Sequence, residues 1–401
     1  MIPEPKPYRL QPQIQSYAWG TRDAGAYIPK LLGISPQPGR PYAELWIGAH
    51  PKAPSTVQFD DGAECPLHQW IAAHPTAILG EAVVRTFGAQ LPFLLKVLSA
   101  GQALSIQTHP NKAQAELLHA HDPEHYPDAN HKPEIAIALD SLSALVGFRS
   151  RHEIEAVLSQ YPEIATFMKW QPNRELDDAA FVRQVFCRLI RYTIHHEDEL
   201  LPYIEQLADR LANQPVHTAH ESLFLELRQI YSQADIGLFV LFFLNRVELT
   251  AGEAMYTAAG VPHSYLQGNI VECMANSDNV VRLGLTSKFK DAATLINILD
   301  YTANAGRPVI PATDDVSQVY AVPSNAFQVM RWALPAGSLQ VVPNPGAVQL
   351  LLVTSGAVCL KGCFGDHTLS RGECVLIPAC LTEYTLLAGT DCQVFGATVP
   401  L

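Results

Sequence analysis

Three things are scarce in this 401-residue chain, and each scarcity narrows its function. Basic charge is short: 27 Lys and Arg stand against 39 Asp and Glu, a formal net charge of −12. No basic stripe could offset that balance, which argues against nucleic acid as a partner. An anionic small molecule stays admissible if cationic side chains gather in one pocket. Long apolar runs are missing as well. The strongest, Ile236 to Leu244, falls far short of the about 20 residues a spanning helix needs, so no membrane segment is expected. It reads as a buried strand or short helix. The opening Met-Ile-Pro-Glu-Pro-Lys-Pro has no apolar stretch of the kind a secretory signal carries, and a cytoplasmic location is expected. Closely paired thiols are the third absence: none of the eight Cys forms a C-x-x-C pair. Cys359, Cys363, Cys374, Cys380 and Cys392 crowd the C-terminal region, but among short apolar strands. They read as buried free thiols in a reducing compartment rather than as a metal knot.

What is present is the composition of a compact globular protein, 48% hydrophobic and 16% charged, long enough for two or three domains. Residues 1–100 are short segments punctuated by Pro and Gly, an all-β signature with a few short helices. Lys112 to His121 reads as a helix capped by Asn111. Residues 150–235 change character. Ser150 to Leu158, Asp178 to Thr193 and Glu197 to Ala212 place apolar residues at i, i+3, i+4 and i+7, and Ser150 with Glu153 forms a capping box. This is a helical insertion between β segments. The β pattern resumes at Leu238, a polar stretch from Ser287 to Leu299 reads as helical, and from Ala321 onward seven or eight short strands alternate with turns.

Two of these β regions share a loose turn–strand–Pro pattern, Thr250 to Pro262 and Ser370 to Pro378. The expected fold is mainly β with a helical insertion: two cupin-type jelly-roll β-barrels plus an α-helical domain. The boundaries implied are 1–149 and 236–320 for the two parts of a first barrel, 150–235 for the insertion and 321–401 for a second barrel. His263 follows Pro262 in the first barrel, whereas Ala379 follows Pro378 in the second. Any metal therefore belongs to the first.

The densest chemistry lies in Ser105-Ile-Gln-Thr-His-Pro110. In an extended strand Gln107 and His109 project from one face, and Pro110 stops the strand at once. Glu134 opens the strand-like Glu134-Ile-Ala-Ile-Ala-Leu139, and His263 sits at a strand–turn junction. Two His, one Glu and one Gln at strand ends make a metal site. Zinc ordinarily takes Cys, His and Asp/Glu, so spacing alone leaves Gln107 as either a ligand or a residue behind one. Arg282 lies in an otherwise apolar stretch, where a guanidinium is costly unless it has a task. Lys96, Lys132 and Lys288 add positive charge to the same motifs.

The segments Gln107-Thr-His-Pro-Asn-Lys112, Asn130-His-Lys-Pro-Glu134, Ala259 to Gly268 and Val271 to Arg282 resemble, in order and spacing, the signature of the type I mannose-6-phosphate isomerases, also called phosphomannose isomerases. So do Tyr17-Ala-Trp-Gly20 and Ala43-Glu-Leu-Trp-Ile-Gly-Ala-His-Pro51. The match runs from about residue 15 to 295, and Leu283 and Ser287 depart from it.

The resemblance implies one zinc per chain held by Gln107, His109, Glu134 and His263. It implies an aldose–ketose isomerase that interconverts mannose 6-phosphate and fructose 6-phosphate through a cis-enediolate. Mannose 6-phosphate would serve GDP-mannose synthesis, or mannose would feed into glycolysis. Arg282 falls on the family's catalytic arginine. Lys132, His131 and Asp278 fall where groups for ring opening and proton transfer stand, and Lys96, Tyr265, Glu272 and Lys288 on positions that line the pocket. Lys132 and Glu134 are both candidates for the base, with Lys132 favoured because a carboxylate that ligates zinc is a poorer base. The partner implied is a small sugar phosphate, and the expected state is a monomer. Two other readings stay open: a non-haem iron oxygenase built from the same two His and carboxylate, and a sugar-phosphate-binding cupin without catalysis.

Overall fold

The computed structural model describes residues 2–171, 176–303, 308–313 and 316–401. The chain is mostly antiparallel β, with short helices in its first third and most of its longer ones in the middle third. Two nine-stranded sheets dominate. One contains, side by side, Leu244–Thr250, Glu134–Phe148, His263–Ala275, Phe93–Ala100, Glu44–Ile47 and Gln13–Gln15, with Ala254–Thr257, Ile106–Thr108 and Val281–Gly284 attached to its flank. This sheet positions the site.

Alternation along Phe93–Ala100 explains its place. Phe93, Leu95 and Val97 join a buried cluster with Ile135, Ile137, Val271 and Cys273. Leu94, Lys96, Leu98 and Ala100 face the other way, as the period of two requires. The first face packs against the second large sheet, because the same cluster holds Phe327, Val329, Leu350, Leu352, Leu376 and Phe395.

The second large sheet is formed by C-terminal strands, but Tyr8–Gln11 pairs with Cys374–Ile377, and Thr56–Gln58 and Glu64–Pro66 extend it. A four-stranded sheet covers its outer face, with Leu351, Val353, Val375 and Val394 from one layer meeting Val358, Leu360, Tyr384 and Leu386 from the other. The eight strands from Gln328 to Thr398 match the number expected. Among the described residues none of the sheets closes into a barrel.

The helical insertion forms as its periodicity dictates. Asp178–His195 buries Phe181, Val185, Phe186, Leu189 and Ile190, and Glu197–Ala212 buries Leu200, Ile204, Leu207 and Leu211. Capping boxes close Lys112–His121, Arg151–Gln160 and Ala219–Ile230, each with both reciprocal hydrogen bonds. The run from Ile236 begins as a short helix, Gly237–Val240, and becomes a strand at Leu244.

Two expectations are corrected. Ser287 to Leu299 is helical only over Ala292–Ile298. Upstream, Asp235 accepts the backbone N–H groups of Leu285 and Thr286, and Leu285 adopts a left-handed φ of 55°, so the chain loops instead. The cysteines are free but not uniformly buried: Cys363 and Cys380 are exposed, Cys65 and Cys359 half-buried. They lie in turns and on outward strand positions that the apolar neighbours do not cover. Among the described residues no helix is long and apolar enough to cross a membrane.

Candidate active site and metal centre

Sheet register brings the site together. Trp46, Lys96, Glu272 and Ala136 are successive partners across four strands and so share one face. Glu134 stands two residues from Ala136 on that face. On the flank, Gln107 pairs with His263 on one side and Arg282 on the other. His109 is the first residue beyond the three-residue strand Ile106–Thr108. Its carbonyl accepts the N–H of Gly260, which ties it to the turn just before His263.

His109, Glu134 and His263 are buried, and their ligand atoms all lie within 4.8 Å of one another. His263 Nε2 is 3.0 Å from Glu134 Oε1, and His109 Nε2 is 3.5 Å from Glu134 Oε2. Both rings turn Nδ1 outward. That of His109 faces the carbonyl of Asn279 at 2.8 Å, and that of His263 faces the carbonyl of Val261 at 3.0 Å. Each Nδ1 can therefore donate to a carbonyl, and with a cation in place each Nε2 would turn a lone pair inward. Burial, then the Lys132 charge, pushes the His109 pKa down to about 4, which keeps that ring neutral.

A cation fits this set by the test of its buried atoms. His109 Nε2 and Glu134 Oε2 have no hydrogen-bond partner, although both are shut off from water. Such orphaned atoms are costly, and a metal satisfies them together. Gln107 points Nε2 toward His263 Nε2 at 3.5 Å while its Oε1 accepts from the Ser105 hydroxyl. Rotation of the amide by half a turn presents the oxygen inward, and the Ser105 hydroxyl can then accept from the amide instead. Two neutral imidazoles, a carboxylate and an amide oxygen suit zinc.

Positive charge surrounds the carboxylate. Lys132, itself buried, places Nζ 3.4 Å from Glu134 Oε2. Tyr265 donates its hydroxyl to Glu134 Oε1 at 3.4 Å. Burial alone would raise the Glu134 pKa, but Lys132 and His109 outweigh it and hold the carboxyl ionised. Beside it, Lys96 sits 3.0 Å from Glu272 and 3.4 Å from Glu44, with Nζ over the Trp46 ring. Burial opposes its charge, yet the two carboxylates keep it protonated.

A cavity of about 1010 Å³ opens onto this floor. Lys96, Gln107, Lys132, Asp278, Arg282 and Lys288 line it. Arg282 makes no ion pair among the described residues, and burial lowers its pKa. Lys288 is at the exposed rim, 5.5 Å from the Tyr17 ring. Asp278 is held by Lys52 at 2.7 Å and His50 at 3.4 Å, which together overcome burial and depress its pKa. Tyr265 and Glu272 lie behind the lining side chains and touch Glu134 and Lys96 rather than the cavity. His131 is half-buried and is also absent from the lining.

Sequence reasoning passed over Glu44, Trp46, His50 and Lys52, although the first three stand in the motif Ala43 to Pro51. Their function depends on cross-strand partners about 50 to 230 residues away, so no local pattern marks them. Asp235 was missed too. It is a buried carboxylate at the cavity edge that accepts N–H bonds from Gly237, Leu285 and Thr286. Gly284 permits that approach, since a Cβ there would meet Asp235 Oδ1 at 2.6 Å.

Comparison with known proteins places this arrangement. The family profile "Phosphomannose isomerase type I, catalytic domain" matches residues 8–151. Mannose-6-phosphate isomerase of Rattus norvegicus is 37% identical over 402 aligned residues, 94% of each chain, and that of Homo sapiens 37% over 88% of each. A crystal structure of a variant phosphomannose isomerase from Salmonella typhimurium superposes with a TM-score of 0.87 at 31% identity, covering 98% of this chain and 100% of that one. A zinc-bound crystal structure of mannose 6-phosphate isomerase superposes at 0.86 and 31%, with the same coverage.

Proposed function

This chain belongs to the type I phosphomannose isomerases, and from that premise we propose that it interconverts mannose 6-phosphate and fructose 6-phosphate, with one zinc held by Gln107, His109, Glu134 and His263. The observation that carries the reading is the trio His109, Glu134 and His263. Its orphaned inward atoms stand beside a cavity lined with Lys96, Lys132, Arg282 and Lys288.

When bound, zinc supplies Lewis-acid polarisation of the sugar oxygens at C1 and C2. The cavity's cations would attract the phosphate and hold the open-chain sugar over the floor. Asp278, ionised by His50 and Lys52 and facing the cavity, is placed to accept a hydroxyl proton during ring opening. Lys132 would take the C2 proton, leaving a cis-enediolate, and return it to C1 while a hydroxyl proton passes from O2 to O1. Glu134 is the poorer base, since a carboxylate that holds the metal keeps little affinity for a proton. Arg282, which has no carboxylate partner among the described residues, would stabilise the enediolate charge. Lys96 and Glu272 would brace the floor. His131, half-buried and outside the cavity lining, would assist proton transfer without touching the sugar.

The finer fold reading is of two cupin jelly rolls, 1–149 with 236–320 and 321–401, and an insertion at 150–235. A cytoplasmic monomer that serves GDP-mannose synthesis or mannose catabolism completes the proposal. The test pairs metal analysis with a coupled assay for fructose 6-phosphate. About one equivalent of zinc, removed by chelator together with the activity, is expected. Full activity in metal-free protein, or two equivalents of tightly held zinc, would contradict the proposal.

A further inference from the structure

The outward face of His109 leads to a hub that no local motif marks. Its Nδ1–H donates to the carbonyl of Asn279. Asn279 is fully buried in the turn between His263–Ala275 and Val281–Gly284. Its side-chain amide donates to the carbonyl of Asp128 at 2.6 Å, to Asp128 Oδ1 at 3.2 Å and to the carbonyl of Asn130 at 2.9 Å. Its backbone N–H donates to the Ser277 hydroxyl, which in turn donates to Asp128 Oδ1 at 2.8 Å. Asp128 Oδ2 accepts the backbone N–H of Asp278 at 2.7 Å, and Oδ1 also accepts that of Asn130.

One half-buried carboxylate thus gathers the whole turn 277–279 and fastens it to the segment leading into Glu134. Asp128 is neither in the cavity lining nor in the metal trio. Yet the turn it holds supplies the acceptor that fixes His109 and carries Asp278.

We propose that Asp128 is a positioning residue. It fixes the Asn279 carbonyl against His109 Nδ1, and so sets the ring orientation and tautomer with which His109 meets the metal. The inference rests on the metal-site reading above. The physical basis is general: an imidazole free to rotate loses entropy on binding a cation, and one whose second nitrogen is held by a fixed acceptor has lost it already. An amide in place of Asp128 cannot do the same work. Both carboxylate oxygens accept, so one of them would become an NH₂ facing either the Asp278 N–H or the Ser277 and Asn279 donors.

The experiment titrates zinc into metal-stripped full-length protein against a chromophoric chelator, for wild type, Asp128→Asn, Asn279→Ala and the double variant. The melting temperature of each metal-free form is recorded alongside. Each single variant should raise the zinc Kd by roughly 10–100-fold with the metal-free fold intact. The double variant should raise it by less than the product, because both substitutions cut one chain of contacts. Wild-type zinc affinity in Asp128→Asn overturns the inference, whatever happens to turnover. So does a loss of affinity no larger than unfolding of the metal-free form accounts for. If Asp128→Asn does not accumulate as folded protein, Asn279→Ala alone decides by the same criteria. Failure of the wild type to bind zinc would sink the metal-site reading instead, so the two failures are distinct.

Discussion

Glu134 is only 1% exposed and joins the metal trio to the cationic floor. Its carboxylate is buried among two imidazoles, a lysine and a tyrosine, with Lys132 Nζ 3.4 Å from Oε2. Removal of either imidazole therefore removes a ligand and leaves the carboxylate less satisfied. His109→Ala and His263→Ala are each expected to abolish zinc retention, measured by metal analysis after gel filtration. His119→Ala and His195→Ala should retain zinc. His119 spends Nδ1 on the carbonyl of Tyr126, and neither residue belongs to the metal trio. Arg282 makes a different kind of contribution. With no ion pair among the described residues, its loss should spare fold and zinc, and Arg282→Ala should lower kcat by roughly 10²–10³, the scale of a lost oxyanion donor. Arg282→Lys should recover little, since a point charge does not reproduce the fork. Near-normal kcat with a raised KM would reassign Arg282 to phosphate binding.

Among the secondary-structure elements, the caps are local and the sheet is not. Ser150 accepts the N–H of Glu153, and Glu153 returns a bond to the N–H of Ser150. Ser150→Ala should cost about 1 kcal/mol, seen as a modest fall in melting temperature with zinc content unchanged. The loop after Val281–Gly284 shows the opposite dependence. Its path is set by Asp235 at one end and at the other by Asp291, which caps Ala292–Ile298 and accepts from the Tyr126 hydroxyl. Within Thr286-Ser-Lys-Phe-Lys290 the Thr286 hydroxyl accepts the N–H of Lys288, but the anchors at both ends lie outside the segment.

Taken whole, the molecule is two large sheets packed back to back, with the cavity on the outward face of one. Leu350 and Leu352 lie in the cluster between the sheets, while Leu351 and Val353 fill the C-terminal sandwich. Leu352→Ala should therefore cost about 2–5 kcal/mol and lower the melting temperature, while the folded fraction keeps its zinc and turnover. His367→Ala and Glu383→Ala should leave kcat and zinc content as they are, because neither residue reaches the cavity. Loss of activity in Glu383→Ala without loss of stability would bring the four-stranded C-terminal sheet into the active site. The strand Tyr8–Gln11, hydrogen-bonded to Cys374–Ile377, stitches the N-terminal segment to the C-terminal sheet. The two ends of the chain are thus parts of one structure.

Much of this protein was determined by its sequence alone. The cap at Asn111, the capping box at Ser150 and the helical periodicity of 178–212 depend on neighbours within four residues, and such patterns are readable in one dimension. The pairing of Gln107 with His109 was readable for the same reason, as a period of two broken by Pro110. Tertiary structure decided the rest. Gln107 and His263 become partners across 156 residues, Lys96 meets Glu272 across 176, and Asp128 reaches the turn that holds His109 from about 150 residues away. Those meetings follow from which sheet faces bury together, a choice made by the summed apolar surface of both sheets and by no single segment. The same choice turned Asp235 inward, left Cys363 and Cys380 in water, and put Tyr265 and Glu272 behind the cavity wall. A side chain's chemistry is written in its own residue, but its burial and its partners are set by the strands that come to lie beside it.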